Sequence, residues 1–192
     1  MYYGPEIIID SGVTLDGVED KERLGILLNI PLALTNAIGT TISIFIIDGL
    51  GRRYIMLRTL PGIVVSLLVV SLCMYLSIYS EDPDTKYGAR VCFMIALVTY
   101  LAFFSIGMSS TVWTVNSEIY PIHLVGTAVA LATATNWLSN FAVASVFLSS
   151  METDAGKVYT FDILAAFAIL AWIFIFCLVP ETANKKVSEN VN

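Results

Sequence analysis

VCFMIALVTYLAFFSIGMSSTVWTVNS, residues 91–117, runs for 27 residues without a charge. At about 1.5 Å per residue, a helix of that length outreaches the roughly 30 Å hydrocarbon core of a bilayer, and buried helices of water-soluble proteins rarely extend so far. Four further charge-free runs accompany it, at residues 24–47, 59–80, 119–151 and 163–180. None alternates apolar with polar residues, so the runs read as helices and not as barrel strands. The sequence predicts an all-α, polytopic transmembrane bundle with spans near 24–47, 56–79, 89–116, 124–149 and 159–179.

Composition agrees. Of the 192 residues, 57% are hydrophobic and only 14% charged, against about a quarter charged in soluble domains. A net charge of −6 gives no basic surface for nucleic acid. Cys73, Cys92 and Cys177 lie singly within apolar runs and are expected as buried core thiols. Met1 is followed by Tyr2, Tyr3, Gly4 and Pro5 and then by acidic sequence, not by a basic and apolar leader, so the start reads as the middle of a longer protein.

Arg52, Arg53 and Arg58 crowd the loop after the first span and Lys185 and Lys186 mark the tail, whereas residues 6–22 of the opposite side hold six carboxylates. The concentration of arginine predicts an outside N-terminus and a cytoplasmic C-terminus, in a multi-pass protein of the plasma membrane. Residues 1–23 form a preceding helix end and an external loop, 24–180 the spans, and 181–192 a cytoplasmic tail.

Hydrocarbon penalises unpaired amide and indole N–H groups, so Asn36, Trp113, Asn116, Asn136, Trp137 and Asn140 are expected to face other helices or a cavity. Asn136 and Asn140 lie one turn apart with Trp137 beside them, and Trp113 and Asn116 form a similar pair. An amide next to an indole suits a pyranose or cyclitol, which carries hydroxyls on its edge and C–H groups on its face. Interhelical amide bonding and interfacial anchoring by tryptophan are the alternatives.

These residues resemble, in order along the chain, the sugar porters of the major facilitator superfamily. Tyr2 and Tyr3 look like the tyrosine pair ending helix seven of that twelve-helix fold, and Asp48-Gly49-Leu50-Gly51-Arg52-Arg53 like its loop between helices eight and nine. Trp113 with Ser117-Glu118-Ile119-Tyr120-Pro121 resembles the end of helix ten, Asn136-Trp137 the core of helix eleven, and Pro180-Glu181-Thr182 the motif after helix twelve. With Ser105 where glucose carriers hold an acid, the stretch is most similar to the proton-coupled myo-inositol branch.

The resemblance implies the C-terminal half of a sugar or polyol transporter working by alternating access, with myo-inositol or a hexose as substrate and protons as coupled ion. It places substrate contacts at Asn36, Trp113, Asn136 and Trp137, and a cytoplasmic charge latch at Asp48, Arg52, Arg53, Glu118 and Glu181. The implied partners are the bilayer and an N-terminal half supplying the facing wall. Two prolines expected in helix ten are Ser110 and Val112 here, so the gating region with Gly107 lacks its usual helix breakers. An arginine expected after the helix-ten motif is Val125, and Ala183-Asn184 stand where a lysine and glycine are usual, so the latch is short of two cations.

A truncated, non-transporting relative that senses ligand or partners an intact carrier is the alternative reading. No enzyme is expected: His123 is the sole histidine, no nucleophile sits with a base, and neither a cofactor motif nor a metal cluster is present.

Overall fold

The computed structural model describes residues 21–182, so the tyrosine pair Tyr2 and Tyr3 and the tail positions Ala183 to Lys186 lie outside the described residues. The expected all-α membrane bundle is what forms. Helix α1 spans Lys21–Leu50, α2 Arg52–Tyr79 and α3 Pro83–Phe104; a π-helical turn, Ser105–Ser109, leads into α4, Thr111–Glu118; α5 spans Val125–Met151 and α6 Asp154–Leu178. With α3, the π turn and α4 counted as one span, five helices among the described residues are long and apolar enough to cross a membrane. That makes the chain an integral, multi-pass membrane protein.

Short polar caps separate the spans. Before α3, Asp82 Oδ2 accepts from the backbone N–H of Thr85 at 3.1 Å and from its hydroxyl at 2.6 Å, with Pro83 opening the first turn. Those bonds stabilise the ionised form and hold the Asp82 carboxyl below its ordinary range. The helix consequently begins upstream of position 89, where the apolar span was expected to start. Thr153 caps α6 by accepting from Gly156 N at 3.1 Å.

Helix α2 is the hub. Met56, Leu60, Ile63, Leu67, Val70 and Met74 form a buried line along it, with Phe93 and Ala96 of α3 packed on one side and Val158, Phe161 and Ala165 of α6 on the other. Glycines set how closely its neighbours approach: a Cβ on Gly62 would strike the Phe103 ring, and one on Gly107 would strike Thr59. Helix α1 docks on the π turn, where a Cβ on Gly39 would strike Ser105. Cys73 is buried in this core as expected, but Cys92 and Cys177 are exposed, although the Cys92 thiol of α3 still lies against Cys73 of α2.

Pro61 sits inside α2 and has no N–H to give to Leu57 O, four residues back. The indole Nε1 of Trp172 on α6 donates to that carbonyl at 3.1 Å, so a tryptophan repairs the break and ties α6 to α2. Trp172→Phe should leave the carbonyl without a partner and cost about 1–3 kcal/mol. Thermal unfolding in detergent should show a lower midpoint for Trp172→Phe and little change for Trp113→Phe, whose indole has no acceptor among the described residues.

Candidate functional site

Helix α5 carries a long row of polar groups and buries none of its residues among those described. Most of the row satisfies itself: Thr133, Thr135, Ser145 and Ser149 donate to carbonyls four residues back, and Asn140 Nδ2 donates to Asn136 O at 2.9 Å. Asn140 therefore spends its amide on its own helix. The side-chain amide of Asn136 forms no hydrogen bond among the described residues and lines a groove of about 580 Å³ with Tyr120, Leu131, Thr135 and Ser139.

Trp137 is one residue on, about 100° around the helix, and is 61% exposed outside that groove. Trp113, on α4, is also exposed. Asn36 is half-buried on the stripe of α1 that holds Leu32, Gly39 and Ser43 and faces the π turn. Asn36 and Trp113 thus stand on adjoining elements, while Asn136 and Trp137 stand on α5; no hydrogen bond or ring stack joins any of the four among the described residues. Tyr120 and Ser139 were not singled out by sequence reading, although Tyr120 lies inside a quoted motif.

The gating region has a break despite its missing prolines. The chain widens into the π turn at Ser105–Ser109 and bends at Ser110 before α4 begins. Two hydroxyl pairs hold the break against α1: Ser43 with Ser110 at 2.7 Å and Thr40 with Ser109 at 3.4 Å. Gly107 lies against Thr59 of α2, and Val112 is exposed. Thr111 Oγ1 and Asn116 Nδ2 beside the break are buried without a hydrogen-bond partner.

At the other end of α4 the charged groups converge. Arg52, 9% exposed, donates through Nη2 to Asp48 Oδ1 at 2.8 Å and to Glu118 Oε1 at 3.0 Å, and through Nη1 to Ile47 O at 3.3 Å. The second Glu118 oxygen accepts from the Thr182 hydroxyl at 2.6 Å. Glu181 binds the backbone N–H groups of Arg52 and Arg53, at 2.9 and 3.1 Å, and so caps the positive end of α2. Arg53 turns its guanidinium to Phe176 O at 2.6 Å.

Gly51 makes this cap possible. Its φ of 89° suits glycine, and the Glu181 carboxylate occupies the place a side chain would take. Sequence reading treated Gly51 as part of a turn and gave Thr182 no role; both belong to the cluster. Glu181→Gln keeps the shape but removes the charge, which should weaken the cap by about 1 kcal/mol. Hydrogen exchange at the Arg52 and Arg53 amides should then quicken several-fold while that of the α6 core stays unchanged.

Five apolar spans among the described residues, with α2 as the most buried and the third span broken, define the class of protein, a multi-pass membrane protein of the major facilitator fold. The same arrangement is found in the structure of the proton:xylose symporter XylE bound to 6-bromo-6-deoxy-D-glucose, with a TM-score of 0.77 and 22% identity over 98% of this chain and 37% of that one. Residues 1–190 match the family described as sugar (and other) transporter, and the chain belongs to that family. It is 27% identical to myo-inositol transporter 1 of Cryptococcus neoformans var. grubii, across 98% of this chain and 32% of that protein. It is 31% identical to probable polyol transporter 6 of Arabidopsis thaliana, across 98% and 36%. The chain spans about a third of the length of these relatives.

Proposed function

We propose that this chain is the C-terminal half of a secondary transporter that carries a sugar or polyol, myo-inositol or a hexose, by proton-coupled alternating access. The observation that carries the reading is Asn136: an amide on a helix with no buried residue, unbonded among the described residues, in a groove edged by hydroxyl groups. Lipid would leave such a group unsatisfied, whereas a carbohydrate hydroxyl satisfies it. The relatives named for myo-inositol and polyols support the substrate class.

In this reading Asn36, Trp113, Asn136 and Trp137 contact the substrate, and an N-terminal half closes the open face of α5. The cluster of Asp48, Arg52, Arg53, Glu118 and Glu181 is the latch, joined when the cytoplasmic side is shut and parted when it opens. The break at Gly107, Ser110 and Val112 supplies the flexible point, through a π turn where the resemblance led one to expect proline. The arginines at the α1–α2 turn support a cytoplasmic C-terminus and an outside N-terminus in the plasma membrane. Transport leaves the substrate chemically unchanged, so no enzymatic step is invoked.

In the carrier with both halves present, Asn136→Ala and Trp137→Ala should each lower uptake of radiolabelled myo-inositol or hexose by about tenfold or more while surface expression holds, because each removes about 1–3 kcal/mol of substrate contact. Unchanged uptake kinetics in both variants would remove them from the site. Val125→Arg should restore one cation to the latch and shift cysteine accessibility toward the outward-open state, by a factor of a few for a pair worth up to about 1 kcal/mol.

A further inference from the structure

A second concave site lies in the seam between α2 and α6. It encloses about 410 Å³ and is lined by Leu68, Leu72, Tyr75, Tyr79, Tyr159 and Asp162. Its floor is closed by Ser71, whose hydroxyl donates to Val158 O at 3.3 Å. No residue assigned to the substrate site or the latch lines it.

Its polar end is unusual for a surface facing lipid. Tyr75 and Tyr79 lie with ring centroids 5.0 Å apart and inclined at 36°, and Tyr159 faces the same space from α6. Asp162 is half-buried two turns into α6 and forms no salt bridge among the described residues. A half-buried carboxylate at the edge of the charge-free run 163–180, with no salt-bridge partner among the described residues, is a candidate binding group. Aromatic faces around a carboxylate are what a substituted ammonium ion requires, since the ring quadrupoles and the negative charge attract it together.

The apolar end decides where that ammonium comes from. Tyr79, Tyr75, Leu72, Leu68 and Val65 follow one another at helical spacing along one exposed stripe of α2. From Tyr79 to Val65 the stripe descends about 21 Å at about 1.5 Å per residue, enough to pass from the headgroup layer through the roughly 15 Å hydrocarbon of one leaflet. A soluble amine has no use for that stripe, whereas a lipid fills both ends.

We propose that the α2–α6 seam binds a phosphatidylcholine molecule, with the choline ammonium among Tyr75, Tyr79, Tyr159 and Asp162 and an acyl chain along Leu72, Leu68 and Val65. The site is distinct from the substrate site and independent of the transport reading. By bridging α2 and α6 at the end far from the Glu181 cap, the lipid holds the other end of the same helix pair.

The test is retention of spin-labelled phosphatidylcholine by the full chain in nanodiscs, against spin-labelled phosphatidylglycerol. Wild type should prefer phosphatidylcholine about tenfold, and Asp162→Asn and Tyr75→Leu should each remove most of that preference, with Asp162→Glu retaining it. Monodisperse elution and an unchanged far-ultraviolet dichroism spectrum confirm that each variant folds. Equal binding of the two lipids by wild type, or a preference untouched in both variants, would overturn the proposal and leave the tyrosines as an interfacial belt. Displacement of the labelled lipid by millimolar free choline would likewise overturn it in favour of a soluble amine.

Discussion

A polar group inside hydrocarbon has no water to fall back on, and the bundle is organised by where each such group finds its partner. The clearest case is the bond from Trp172 to Leu57 O. Pro61 removes a helix donor in the middle of α2, the most buried helix, and the indole of α6 supplies the replacement. Because α2 carries the core, the same bond fixes α6 against it and leaves their seam in a defined register. The serine and threonine hydroxyls at the π turn obey the same rule, holding a broken span against α1 without a proline in the break.

That rule also separates tryptophans and asparagines that the sequence alone treats alike. Trp172 and Asn140 have their donors committed to backbone carbonyls and are structural. Asn136 has no such commitment among the described residues, which is why it, and not its neighbour one turn away, is the one proposed to contact substrate.

The spans were legible because length and the absence of charge suffice to mark a transmembrane helix, and the family because its motifs recur in order. The grouping of Arg52 with Asp48 and Glu118 was implied by the resemblance, and the two ion pairs join them in the structure. The π turn was not legible, since widening a helix requires only that side chains elsewhere accept the displaced strand, and Ser105 to Ser109 carry no breaker. Glu181 was expected among guanidinium partners, yet it holds the main chain of α2; spacing along a sequence records the charge but not whether a carboxylate binds a side chain or a backbone N–H. Asn136 and Trp137 read as one unit because they are adjacent, but adjacency on a helix points them about 100° apart.

The cap on α2 has a consequence for how the chain is made. The backbone N–H of Arg52 is completed by a carboxylate 129 residues further on, after α6 has been threaded into the membrane. During synthesis α2 must therefore sit in the bilayer with the start of its first turn open, held by its apolar length alone. The Pro180–Thr182 motif then acts as a finishing clasp: its arrival closes the start of α2 only once α6 has been made, so that a chain interrupted before Glu181 is marked by an unsealed helix end.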